Sequence, residues 1–298
     1  MPPELRNLGA SVRARLLNRA RADKQDFQIL LVRYALERLL YRLSVSTHRD
    51  QFILKGAMLF ATWVDAPFRP TRDLDLLGCG VATAERLAQT FREICGTAVP
   101  DDGLAFDVGA LEAAPIREEA EYGGVRVRTT ARLAGAVIPI QVDIGFGDAI
   151  TPAPLEIDYP VLLEGPAPHL RAYPVETVVA EKFEALVSLG MANSRLKDYY
   201  DLWLISRTFQ LDPVLLSEAL RRTFARRMTS LPRALPSGLS DPYVAAWAGQ
   251  WSAFLGRNPV AAAPEDFAMV IADLRTFLIT LLDAQPKSDR GPGQPGSA

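Results

Sequence analysis

The stretch Arg69-Pro70-Thr71-Arg72-Asp73-Leu74-Asp75-Leu76 concentrates the residues best suited to chemistry. In a strand, residues two apart point to the same side, so Asp73 and Asp75 set two carboxylates side by side. Like charges that close raise each other's pKa unless a cation sits between them. Paired oxygen ligands suit Mg²⁺, which takes one or two carboxylates together with substrate phosphates. The plainer reading is a solvated strand start. Asp143, in Ile140-Gln141-Val142-Asp143-Ile144-Gly145, bears on that choice. There Gln141, Asp143 and Gly145 share one face, and Ile140, Val142 and Ile144 the other. Beside a strand carrying Asp73 and Asp75, this third acid completes a cage able to hold two Mg²⁺ for in-line displacement at phosphorus.

Two further groups belong to the same chemistry. Leu54-Lys55-Gly56-Ala57 reads as a strand turning into a short helix, and a glycine there lets backbone N–H groups approach a phosphate. Downstream, Lys182 sits mid-helix among Val178, Val179, Phe183 and Leu186, and Asp198 and Asp201 are three apart on one helix face. The structural reading of this second set is a Lys182–Asp201 ion pair between packed helices. The functional one has Lys182 on nucleotide phosphates and Asp201 orienting the substrate hydroxyl or base.

These residues need elements to position them. Hydrophobic spacing predicts helices over 27–43 and 81–96 and strands over 52–55, 74–78, 125–133 and 136–148. Pro139 suggests an edge or a bulge early in the last strand. Residues 151–168 are proline-rich and read as irregular, so the domain boundary is placed there. Helices are expected over 174–190, 195–209, 213–228, 242–256 and 264–284, with Pro174 and Gly190 bracketing the first. The fold class expected is α+β, with a mixed sheet and helices in the N-terminal half and an α-helical C-terminal domain. The expected domains are 1–165, 166–285 and a disordered tail over 286–298, rich in Pro, Gly and Ser.

Composition bounds the function. The 298 residues carry 33 Lys plus Arg and 35 Asp plus Glu, a net charge of −2, which excludes a globally basic nucleic-acid coat. Two cysteines and two histidines leave little for a disulfide framework or a His-rich metal site. No apolar run is long enough to span a bilayer, and no signal-peptide pattern opens the chain, so a cytoplasmic location is expected. Charge is nevertheless uneven. Residues 1–49 hold ten Lys/Arg against four acids, and Arg221, Arg222, Arg226, Arg227 and Arg233 form a second basic cluster. Either cluster could meet RNA phosphates or simply solubilise the surface.

In order along the chain, FILKGAMLF, RPTRDLDLLG, PVETVVAEKFEAL and RLKDYYDLW resemble the four motifs of the AbiEii/MenT-type nucleotidyltransferase toxins. These belong to the DNA polymerase β-like nucleotidyltransferase superfamily and act in type IV toxin–antitoxin pairs. The resemblance implies a nucleotidyltransferase core, Mg²⁺ (or Mn²⁺ in its place), an NTP substrate, a tRNA 3′ end or other RNA as acceptor, and a cognate antitoxin. It implies that Asp73 and Asp75 hold the metal with Asp143 as the third acid. Gly56 and Ala57 would line the triphosphate site, with Lys55 and Arg72 beside them. Lys182 would contact NTP phosphates, and Asp201, with Asp198 near it, would complete the active site. Ala57 stands where the superfamily usually has Gly or Ser. An NTP-binding regulator without turnover, or a nucleotidyltransferase acting on a protein or small molecule, are the alternatives.

Overall fold

The structure is a computed structural model that describes residues 7–64, 69–80, 82–116, 123–258 and 263–283. The expected tail at 286–298 and part of the 66–73 turn lie outside the described residues. The chain divides into two compact units, the first running to Val178 and the second starting at Val179.

The first unit opens with α1 (Leu8–Ala22) and α2 (Phe27–Ser44), capped by Asn7 accepting from the Ala10 N–H and Asp26 accepting from that of Ile29. Although α1 is polar, its Val12, Leu16 and Ala20 recur every four residues and are all buried. The strand β1 (Phe52–Lys55) turns at Gly56 into a 3₁₀ helix over Gly56–Thr62, and β2 (Leu74–Gly78) follows. After α3 (Ala84–Cys95) come β3 (Ala105–Phe106), β4 (Glu112–Ile116), β5 (Gly124–Leu133) and β6 (Ala136–Phe146). The unit closes its sheet with β7 (Leu155–Asp158) and β8 (His169–Ala172).

The sheet runs β3-β5-β6-β2-β1-β8-β7, with β4 also paired to β5. It is mixed: β2 with β6 and β1 with β8 are parallel, and the other pairs are antiparallel. Each central strand has one apolar face. Ile138, Ile140, Val142 and Ile144 of β6, Leu74 and Leu76 of β2, and Val125, Val127 and Leu133 of β5 are all buried. The helix α2 packs on β6, and α3 packs on β4 and β5. Each such side chain contributes about 1.5–3 kcal/mol through burial. The opposite face carries Asp75, Asp143, Arg126 and Arg128.

Pro139 lies opposite Thr130 in the early part of β6, and β2 joins β6 only from Val142 onward. The missing N–H therefore sits where β6 is paired on one flank among the described residues, the edge-like position expected of a proline. Residues 151–168 differ from the irregular reading. Leu155–Asp158 pairs antiparallel with His169–Ala172, which joins β1 at Leu54↔Ala172. The flanking prolines concealed this strand, and they are tolerated because β7 closes one end of the sheet. The chain thus stays in the first unit to Val178, past residue 165. The loop between β7 and β8 is tied to the N-terminal helices: Glu37 accepts from the Leu162 N–H at 2.7 Å, Arg19 donates to Leu162 O and Arg38 to Pro166 O.

Among its described residues, the second unit has helices alone as regular elements. It takes most of α4 (Val175–Leu189), then α5 (Leu196–Thr208), α6 (Pro213–Arg226), α7 (Asp241–Arg257) and α8 (Phe267–Asp283). Its centre is aromatic, with Tyr199 stacked on Tyr243 and edge-on to Phe267. No helix of the described residues is long and apolar enough to cross a membrane.

Candidate active site

Strand register assembles a charged row across the sheet. Lys55 on β1 lies opposite Asp75 on β2, Asp75 opposite Asp143 on β6, and Asp143 opposite Arg126 on β5. Directly opposed residues share a face, so the row reads plus, minus, minus, plus. Asp73 adjoins it just before β2. One carboxylate oxygen from each of Asp73, Asp75 and Asp143 lies within 4.8 Å of the other two. The expected convergence of the three acids is present, with Asp75 and Asp143 brought together by the parallel β2–β6 pairing, but Asp73 stands in the bend just before β2 rather than in the strand.

Each acid is held differently. Thr71 Oγ1 donates to Asp73 Oδ1 at 2.5 Å. Asp75 packs against the backbone of Gly56: a Cβ there would stand 2.0 Å from Asp75 Oδ2, and Gly56 has φ +75°. Gly56 is therefore required twice, for its left-handed backbone and for the space the carboxylate fills. Asp143 accepts two hydrogen bonds from one guanidinium, Arg126 Nε to Oδ1 at 2.7 Å and Nη2 to Oδ2 at 2.6 Å. The hydrogen bond to Asp143 raises the Arg126 pKa above its ordinary value, against the opposing effect of burial, and the charges of Asp143, Asp73 and Asp75 add to the rise.

At the other end of the row, Lys55 Nζ pairs with Asp148 Oδ2 at 2.6 Å and sits over the Tyr173 ring. A Cβ at Gly145 would stand 3.8 Å from Asp148 Oδ2 and 3.9 Å from Lys55 Nζ, ordinary contact distances, so the pair lies against this position without requiring a glycine there. Ala57 is buried and Arg72 is exposed. An oxygen-only donor set of this size suits a hard divalent cation such as Mg²⁺.

The second unit builds a separate cluster. Lys182 on α4 pairs with both acids of α5, Asp198 at 2.6 Å and Asp201 at 2.8 Å, and Arg195 adds a 2.7 Å pair to Asp198. Both carboxylates are almost fully buried. Burial pushes the Asp198 pKa up, but Lys182 and Arg195 outweigh it and hold the group below the ordinary aspartate range. The ion pair expected from helix spacing is present and extends to Asp198.

Two residues of the first unit escaped the sequence reading. Arg126 was legible in principle: Ala134 and Gly135 both have positive φ and form a two-residue turn, and counting back from it pairs Arg126 with Asp143. Asp148 follows β6 in a loop, where no local pattern marks it. The N-terminal basic cluster also divides. Arg42 is paired bidentately with Asp102, Arg38 with Glu37, and Arg49 with Glu156, whereas Arg13, Arg15 and Arg21 stand exposed on α1. In the second cluster, Arg221 and Arg222 share Glu218, and Arg227 meets Glu181 and Glu184.

The model of the family described as nucleotidyl transferase AbiEii toxin, Type IV TA system, matches residues 38–273. Among solved structures, JHP933 from Helicobacter pylori is similar at 11% identity and a TM-score of 0.49, over 87% of this chain and 93% of that one. A putative nucleotidyltransferase from H. pylori is similar at 13% identity and a TM-score of 0.49, over 87% and 96%. No curated protein matches the chain. The family match spans most of the sequence: the chain belongs to the AbiEii nucleotidyltransferase toxin family of type IV toxin–antitoxin systems.

Proposed function

From that membership, we propose that the chain transfers NMP from an NTP to an RNA acceptor, the 3′ end of tRNA foremost, with Mg²⁺ as cofactor. The observation that carries this reading is the convergence of Asp73, just before β2, with Asp75 on β2 and Asp143 on the parallel strand β6. Asp73 and Asp75, with Asp143 beside them, would hold Mg²⁺ or Mn²⁺. When bound, the ion neutralises charge on the transferred phosphoryl group and lowers the pKa of the attacking hydroxyl. Lys55, steadied by Asp148, supplies a fixed positive charge at the β1 end of the row. Gly56 keeps Asp75 in place. The acceptor hydroxyl gives up its proton to solvent and forms a bond to the α-phosphorus as the bond to pyrophosphate breaks, and the protein positions the two reactants without a covalent intermediate.

On the motif resemblance, Lys182 is assigned to the NTP phosphates and Asp201, with Asp198, to the remainder of the site. Arg72, Gly56 and Ala57 are assigned to the nucleotide. The exposed arginines of α1 are the proposed contacts for RNA backbone, and a cognate antitoxin is the expected protein partner. Incubation with each labelled NTP and total tRNA tests the proposal. A labelled RNA band that requires divalent cation supports it. NTP retained without labelled product supports a binding role instead, and label on protein or small molecules moves the acceptor elsewhere.

A further inference from the structure

We propose that Arg126 competes with a divalent cation for Asp143, and that a substrate phosphate relieves the competition by taking the guanidinium. The inference rests on the reading of the three acids as a cation site. Both oxygens of Asp143 are engaged by Arg126 in a fork geometry. The two residues are directly opposed in the β5–β6 ladder, so the backbone itself maintains the contact. A cation approaching the cluster therefore finds one of its three acids already neutralised, and must either displace the guanidinium or use Asp73 and Asp75 alone.

The same geometry gives Arg126 somewhere to go. Its side chain is 32% exposed, against 17% for Asp143. It also lines a groove with Arg128, Glu112 and Ile116, on the side of the ladder away from β2. A guanidinium fork matches a phosphate as well as it matches a carboxylate. A phosphate of nucleotide or acceptor entering beside Arg126 draws it off Asp143, and the freed carboxylate joins Asp73 and Asp75. The cation site is then completed when substrate arrives. Arg126 is a positioning residue in this scheme, acting through Asp143.

The test is Mn²⁺ binding followed by the electron-spin-resonance signal of the free ion, with the full-length protein and no turnover. R126Q is expected to tighten Mn²⁺ binding on the order of tenfold relative to wild type, by removing one adjacent positive charge. R126K, which keeps the charge but loses the fork, should fall between them. In a D143N background the gain from R126Q should be much smaller, because only the through-space repulsion by one charge remains to be removed; a gain as large as in the Asp143 background overturns the competition. Adding an equal mixture of the four α,β-methylene NTPs should close the gap between wild type and R126Q. Equal Mn²⁺ affinity in wild type and R126Q overturns the competition, and a gap that survives the nucleotides overturns its relief by phosphate. D73N separates this inference from its premise. If D73N binds Mn²⁺ as wild type does, the acids are no cation site and both readings fail. If D73N abolishes binding while R126Q matches wild type, only the role of Arg126 fails.

Discussion

The molecule holds two dense charge clusters that solve opposite problems. In the sheet of the first unit, Lys55, Asp73, Asp75, Arg126, Asp143 and Asp148 put four acids against two bases, on side chains that keep partial access to solvent. In the second unit, Lys182 and Arg195 balance Asp198 and Asp201, and both acids are almost sealed from solvent. Acids gathered at a partly open surface leave room for a cation to join them, which is the condition for binding chemistry. Balanced charges inside a helix pair satisfy one another and tie two helices together. The difference is that an excess of one sign at an accessible surface is what a ligand of the other sign could use, whereas neutrality points first to architecture, even where a motif assigns those residues a chemical role.

The sharpest way to test that contrast is to neutralise one acid in each cluster. D73N should cut nucleotide transfer on the order of 10³-fold while leaving the melting temperature nearly unchanged. Activity with labelled NTP, read beside a thermal melt, checks both halves. D198A should act on stability, because it removes one of the two buried acids that meet Lys182 and leaves Asp201 as its remaining partner. The expected loss is about 1.5–3 kcal/mol in urea unfolding, the range for a lost hydrogen bond between charged groups. If D73N destabilised and D198A did not, the two clusters would have exchanged roles.

G56A is expected to do less damage to the fold and more to the site. The added methyl would meet Asp75 and be forced into a left-handed backbone, at a cost of about 1–2 kcal/mol. Mn²⁺ binding should weaken, since Asp75 must move. Acid and base behaviour should separate the units too. Asp198 has a depressed pKa, so its stabilisation is present above the ordinary value of 3.8 and is lost as the pH falls through the lower folded value. D198N should remove that acid limb. Glu37 in the first unit is the reverse case. Burial outweighs Arg38 and the Leu162 N–H and raises its pKa from 4.5 to about 7. Its contribution is therefore full below 4.5 and fades as the pH rises toward 7. E37Q should flatten this slope in a pH series of unfolding midpoints. The smallest effect lies outside both clusters. Replacing exposed Arg13, Arg15 and Arg21 by Gln should leave stability unchanged and lower the salt slope of tRNA binding by about one per lost contact.

Much of the candidate site's framework is legible in the sequence. The alternation of Ile140, Val142 and Ile144 with Gln141, Asp143 and Gly145 announced a strand with one buried face, and β6 follows it. The strand over 74–78 and the turn at Gly56 were equally plain. What escaped depends on distance along the chain. Glu37, deep in an apolar helix, looks anomalous until Leu162 arrives from a proline-rich loop. Leu155–Asp158 reads as loop because its flanking prolines outweigh four residues of strand. Asp148 looks like any loop acid until Lys55 reaches it.

By itself, the sequence determined the periodicities, the faces on which the acids lie, and the order of motifs that places the chain in its family. These follow from local geometry, since a strand repeats every two residues and a helix every 3.6 wherever it sits. Only the tertiary structure decided that β2 runs parallel to β6 in the register that brings Asp75 beside Asp143, and that Arg126 closes on the third acid. Pairing between segments nearly seventy residues apart depends on which surfaces bury together, and no local repeat encodes it.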